Sequence, residues 1–165
     1  MITMQKILVA TDFSECSEIA LTYGRAIARQ FNACLRVMHV VETSAAEAFQ
    51  VGGYVTAIPA VQAELESSQG ARLDALVSDD DRRHLAAGTV LVMFQPPAQA
   101  VVEYAAREQV DLIVVGTHGR RGLAHMVMGS VAERIVRTAP CPVLTVHHPE
   151  REFVTTEPTA STTST

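Results

Sequence analysis

The chain has 165 residues, 48% of them hydrophobic, and a formal net charge of −5. That length and apolar content suit one domain with a sizeable core and argue against a second independent one. The acidic balance, with no basic stripe to offset it, excludes nucleic acid and anionic membrane as bulk electrostatic partners, while leaving a small anion held by local charge.

In chain order, Ile7-Leu8-Val9-Ala10 is a short apolar run ending at Thr11-Asp12, and Ser14 then offers an N-cap: a strand leads into a helix. Within that helix Ile19, Tyr23, Ala26 and Ile27 form one apolar face, which Phe31-Asn32 closes. Leu35 to Val41 reads as a second buried strand. Glu42 to Thr56 is long and rich in small side chains, which predicts a mobile loop over a site. Helical character resumes over Ile58 to Asp81, with Val61, Leu65, Leu73 and Leu76 as its apolar members. A third strand, Thr89 to Phe94, precedes the Pro96-Pro97 break and a helix carrying Ala98, Val101, Val102 and Ala105 on one face. Leu112 to Val115 is a fourth strand with the continuous apolar pattern of one buried on both faces. Val131 to Val136 continues with helical spacing from Ser130, a good capping residue, and Val143 to Val146 is a fifth strand after Pro140-Cys141-Pro142. Strands alternating with helices imply right-handed crossovers, hence an open five-stranded parallel α/β sheet with helices on both faces. The domain spans 1–148. Residues 149–165 hold only Phe153 and Val154 as sizeable apolar side chains and read as a disordered Ser/Thr-rich tail.

Three cysteines, Cys16, Cys34 and Cys141, stand at wide spacing without a C-x-x-C, so they read as small buried hydrophobes in a reducing compartment rather than as a disulfide or zinc framework. With no charged-then-apolar leader and no apolar run of spanning length, a soluble cytoplasmic protein is the expectation.

The chemistry concentrates in GTHGRRGLAHMVMGS, residues 116–130, between the fourth strand and the helix that follows it. Glycines let the backbone approach an anion closely, and the free N–H groups and positive dipole end of a helix attract one. Arg120 and Arg121 supply cationic side chains in an acidic chain, as a triphosphate requires. The plainer alternative is that the glycines serve only the turn and the arginines are solvated. In open parallel sheets ligands bind beyond the carboxyl ends of strands where the strand order reverses, and the first and fourth strands are the natural pair to flank that point. Asp12 would then face the Gly116 loop, accepting hydrogen bonds from a ribose or base or helping to hold a metal that travels with phosphates. Its alternative is a turn residue bonding the backbone of Phe13-Ser14.

Known motifs narrow the chemistry further. There is no G-x-x-x-x-G-K-[ST] P-loop, no G-x-G-x-x-G dinucleotide fingerprint and no G-x-S-x-G nucleophile elbow. His39, His118, His125, His147 and His148 have no carboxylate or cysteine at a metal-ligand interval to tie them together, so no metal site is assigned. The loop does carry G-x2-G-x9-G-[ST], through Gly116, Gly119, Gly129 and Ser130. With KILVATDFSE, LRVMHVVE, VDLIVVGTHGRRGL and PCPVLTV in sequence over residues 4–147, the chain resembles the ATP-binding branch of the universal stress protein family.

That resemblance implies a Rossmann-like fold of the adenine nucleotide alpha hydrolase-like type and a bound ATP with magnesium. Asp12 would hold the adenosine end, beside Thr11, with Ala10 and Val40 lining the adenine. Val115 and Gly116 would end the fourth strand at the pocket, with His118 and Gly116 near the ribose. Gly119, Arg120, Gly129, Ser130 and Val131 would meet the phosphates. The chain departs from the family at Ala10, where members often carry proline, and at Gln95, where a glycine is common. The expected function is therefore a cytoplasmic, dimeric, ATP-binding stress-response module with no catalytic residue assigned. Dimerisation would run through the last strand, Val143, Leu144, Thr145 and Val146, whose apolar edge invites pairing. Two alternatives stay open: an ATPase or nucleotidyl-transfer enzyme using the same pocket, and a nucleotide-free dimeric interaction protein, which Ala10 and Gln95 favour.

Overall fold

The computed structural model describes residues 2–42, 59–117 and 128–147. In chain order these form β1 (Lys6–Thr11), α1 (Glu15–Phe31), β2 (Cys34–Val41), α2 (Pro59–Asp74), α3 (Asp79–His84), β3 (Gly88–Met93), α4 (Pro97–Arg107), β4 (Leu112–Gly116), α5 (Ser130–Thr138) and β5 (Val143–Val146). The five strands make one parallel sheet in the order β3-β2-β1-β4-β5. The expected open α/β sheet is thus observed. The loop read over 42–56 and the tail read over 149–165 lie almost wholly outside the described residues.

Alternation along each strand builds two cores. Ile7, Val9, Leu35, Val37 and Val114 face one side and pack with Ala20, Leu21, Tyr23 and Ala28 of α1 and Leu73 of α2. Leu8, Met38, Ile113 and Val115 face the other, against Ala98, Val101, Tyr104 and Ala105 of α4 and Ala132 and Ile135 of α5. Every residue of β4 is buried, as its unbroken apolar run predicts.

The start of α1 is fixed as its sequence suggests: Ser14 has extended backbone and its side chain accepts from the Ser17 N–H, with Glu15 and Glu18 in the first turn. Asn32 closes the helix in the left-handed conformation, φ 52°, which asparagine tolerates well. Its buried face differs from the expected one. The residues turned fully inward are Ala20, Leu21, Tyr23, Gly24 and Ala28, while Ile19, Ala26 and Ile27 are only partly covered. The reason is close approach. A Cβ on Gly24 would lie 2.4 Å from Cγ2 of Val9, so α1 crosses β1 where no side chain fits.

The helical stretch expected over 58–81 is two helices, because Ser78 caps a new one. Ser78 and Asp81 form a reciprocal capping box at the start of α3. Asp81, whose side chain is 2% exposed, accepts from Arg25 Nε at 2.9 Å and Arg29 at 3.3 Å, pinning α3 to α1. Arg25 also donates to the Leu76 carbonyl. Burial opposes ionisation of Asp81, but the Arg25 hydrogen bond and charge and the bonds from Ser78 outweigh it and hold the carboxyl below its ordinary value. At the base of the sheet, Asp111 Oδ2 accepts from the N–H groups of Gln5 and Lys6 at 2.7 and 2.9 Å, locking β4 to the start of β1.

Two local expectations change. Gly129, not Ser130, is the N-cap of α5, and Ser130 is its first helical residue. At the turn before α4, Phe94 takes the left-handed backbone, φ 58°, and is exposed. Of the cysteines, only Cys16 is buried; Cys34 and Cys141 are partly exposed, and all three are free thiols.

Candidate functional site

β1 and β4 are neighbours at the centre of the sheet, and their chain continuations leave on opposite faces, β1 into α1 and β4 toward α5. That divergence opens a crevice at the carboxyl ends of the two strands, as a strand-order reversal does in any open α/β sheet. Ala10 and Val115 are register partners across it. Thr11 pairs with His39 on the other side, so Asp12 and Val40 come level at the same rim. Ala10 and Val40 lie partly buried on the face covered by α4 and α5.

Asp12 sits in the turn between β1 and α1, half-buried, with Oδ1 accepting from the Ser14 backbone N–H at 3.1 Å and the Ser14 hydroxyl at 2.5 Å. The turn role weighed for it therefore exists, and it also fixes the carboxylate at the mouth of the crevice. Thr11 is directed elsewhere. Its buried hydroxyl accepts from the Phe13 N–H at 3.0 Å and lies 3.0 Å from Ser17 Oγ. Because Ser17 Oγ donates to the Ser14 carbonyl at 2.8 Å, the Thr11 hydroxyl is the donor in the Thr11–Ser17 pair.

Between these residues Phe13 holds φ 63°, a conformation that costs a bulky residue about 1–3 kcal/mol. Its ring lies 4.3 Å from the His39 ring, and Arg72 of α2 places its guanidinium carbon 4.1 Å from the ring centroid. His39 is buried, and its Nδ1 donates to the Thr11 carbonyl at 2.7 Å, so Nδ1 carries the hydrogen.

Across the crevice, Gly116 is the last residue of β4. A Cβ there would meet Cys16 Sγ at 2.9 Å and the Cys16 backbone at 3.1 Å, so the missing side chain admits the first turn of α1. Thr117 follows; its N–H donates to the Val146 carbonyl at 2.7 Å and its carbonyl accepts from the Gly129 N–H at 2.6 Å. The latter bond brings the N-terminus of α5 back to the end of β4. Thr117 Oγ1 also lies 3.1 Å from Nδ1 of His147, at the end of β5.

The start of α5, like that of α4, carries no side-chain cap. α1 and α3 begin with serines whose hydroxyls accept an N–H of the first turn, whereas α5 begins with Gly129 and has no side-chain cap. The first-turn N–H groups of Ser130, Val131 and Ala132 have no intrahelical acceptor by the geometry of a helix end. Ser130 and Val131 are exposed there. The arrangement suits an anionic oxygen.

By register, Ala10, Thr11, Val40, Val115 and Gly116 lie at the carboxyl ends of β1, β2 and β4, Asp12 follows β1, and Gly129, Ser130 and Val131 form the start of α5. His118, Gly119 and Arg120 lie outside the described residues, as do Arg121, His125 and Met126. Phe13, Arg72, Thr117 and His147 are not marked as site residues by the sequence, which points only to Asp12 as a turn residue beside Phe13-Ser14. Among the described residues no group of three His, Cys, Asp or Glu side chains could hold a metal.

The sequence model of the Universal stress protein family matches residues 3–147. Universal stress protein MJ0531 of Methanocaldococcus jannaschii is 32% identical over 148 residues, covering 90% of this chain and 85% of that protein. A universal stress protein family structure from Burkholderia pseudomallei aligns with a TM-score of 0.63 at 30% identity, covering 87% of this chain and 96% of its own. A universal stress protein solved in complex with cAMP aligns with a TM-score of 0.55 at 25% identity, over 88% of this chain and 98% of its own. With the fold, the crevice and these matches in agreement, the chain belongs to the universal stress protein family.

Proposed function

We propose that this protein binds an adenine nucleotide, ATP with magnesium, in the crevice between the ends of β1 and β4. It would work as a cytoplasmic, dimeric, nucleotide-responsive module of the stress response. The observation that carries the reading is the Gly129–Thr117 hydrogen bond of 2.6 Å, which sets the uncapped N-terminus of α5 beside the strand end that faces Asp12. One end of the crevice then offers a carboxylate for ribose or base hydroxyl and amino groups, and the other offers backbone donors for phosphate. The cAMP bound by a related structure is an adenine nucleotide of the same chemical class. His118, Gly119 and Arg120 complete the phosphate end in this reading. Binding rather than turnover is the claim, because no residue is assigned as a general base.

The dimer would form through β5, which is the last strand of the sheet and pairs only with β4 among the described residues. Two copies related by a two-fold axis could pair these edges antiparallel.

Mass spectrometry of the freshly purified protein under denaturing conditions tests the nucleotide reading. A stoichiometric adenine nucleotide released from the chain supports it. Absence of released nucleotide, together with no binding when ATP and magnesium are added back, refutes it.

A further inference from the structure

We propose that Phe13, clasped between His39 and Arg72, is a positioning residue for Asp12, and that Arg72 tunes nucleotide binding from α2 through the Phe13 ring. The inference rests on the reading of Asp12 as the contact for adenosine.

Phe13 stands between Asp12 and Ser14, the two residues whose hydrogen bonds orient the carboxylate. Its positive φ aims the Asp12–Phe13 peptide in a direction that an unconstrained phenylalanine leaves. Three contacts keep it there. The Phe13 N–H is bonded to Thr11 Oγ1 at 3.0 Å, the ring packs at 4.3 Å against His39, and Arg72 covers it at 4.1 Å. His39 is itself anchored to the Thr11 carbonyl at 2.7 Å, so one face of the clasp is built on the end of β1. Arg72 comes from a different element and belongs to an exposed position on α2. It is the one part of the clasp that can be removed without touching the sheet or the buried core. Loss of the clasp lets Phe13 relax toward negative φ and swings the Asp12 carboxylate away from its setting at the rim.

Because Asp12 serves the adenosine end, the effect is blind to phosphate charge. Isothermal titration of the nucleotide-free full chain with adenosine and with ATP plus magnesium reads it directly. Arg72→Ala should raise Kd roughly two- to fivefold for both ligands, the size of a lost cation–π contact near the surface. Arg72→Lys and Phe13→Tyr, which keep the cation and the aromatic face, should bind as wild type. Phe13→Gly, which takes positive φ without strain, should bind more tightly than Phe13→Ala, which lacks both the ring and that freedom. Adding Arg72→Ala to Phe13→Ala should cause no further loss, because the arginine acts through the ring. Unchanged affinity in well-folded Arg72→Ala and Phe13→Ala overturns the proposal, as does a loss confined to ATP, which would mark Arg72 as a remote charge acting on phosphate. Wild-type protein that binds neither ligand overturns the underlying reading instead, and the wild-type titration separates that failure from the others. If Phe13 variants fail to fold, the two Arg72 variants decide the matter alone.

Discussion

The Gly129 N–H donates to the Thr117 carbonyl across 2.6 Å, closing the stem of the glycine loop and delivering the first turn of α5 to the end of β4. The glycines of the loop consequently divide their labour. Gly116 is tight against α1, whereas Gly129 has φ −72° and ψ 153°, ordinary extended backbone open to any residue.

The two glycines should therefore respond differently to substitution. Gly116→Ala forces a methyl to within 2.9 Å of Cys16 Sγ and 3.1 Å of its backbone, and should cost about 1–3 kcal/mol of stability. Gly129→Val should leave the melting transition close to wild type but abolish ATP binding, because its side chain stands where phosphate must approach the backbone. Thermal melting and titration of both variants check the pair; Gly129→Val with wild-type affinity would falsify the phosphate assignment.

Asp12→Ala should weaken adenosine and ATP by similar factors, on the order of 1–3 kcal/mol, because the hydrogen-bond partner at the adenosine end is removed and the ligand's donors are left unpaired. A defect seen only with ATP and only with magnesium would move Asp12 to the metal. Parallel titrations with the two ligands distinguish these outcomes.

Acid should loosen the α1–α3 junction. The folded pKa of Asp81 is depressed, so its contribution is complete above the unfolded value of about 3.9 and is lost as pH falls through that value toward the lower folded one. Urea unfolding at pH 7 should show Asp81→Ala less stable by about 2–4 kcal/mol, moderated from a fully buried pair because Arg25 remains 25% exposed. Below pH 3 the gap should narrow. A gap that stays constant with pH would show that packing, not charge, holds the junction.

The dimer has a definite test position. The Ile113 N–H donates to the Pro142 carbonyl and the Thr117 N–H to the Val146 carbonyl, and in a parallel ladder this turns the N–H of Leu144 inward to β4 and those of Val143 and Thr145 outward. Proline at Leu144, the middle of the apolar run, would injure the fold itself. Thr145→Pro removes an outward donor instead and should yield a folded monomer by light scattering. Wild-type protein that is monomeric at micromolar concentration, or a Thr145→Pro variant that stays dimeric, would remove the β5 interface.

Much of this architecture was readable in the sequence because it is written in apolar runs. Leu112 to Val115 announces a strand buried on both faces, and Ser14 announces the start of α1. What escaped depends on contacts between distant residues or on absent side chains. Hydrophobic spacing pointed to Ile19, Ala26 and Ile27, but the closest contact of α1 is at Gly24 over Val9, which no apolar pattern marks. The break before α3 comes from Ser78 and Asp81, and the arginines that bury Asp81 lie more than fifty positions away in α1. At the site, Asp12 and the glycines stood out by type and spacing. Phe13 and Arg72 did not, because a phenylalanine with positive φ and an arginine on an exposed helical position acquire meaning only once α2, packed on β2 and β3, brings Arg72 over the Phe13 ring.

The most direct test of nucleotide binding is isothermal titration of ATP with magnesium into wild-type protein stripped of bound nucleotide. Saturable binding of one ATP per chain is the expected result. A flat titration with correctly folded protein would contradict it.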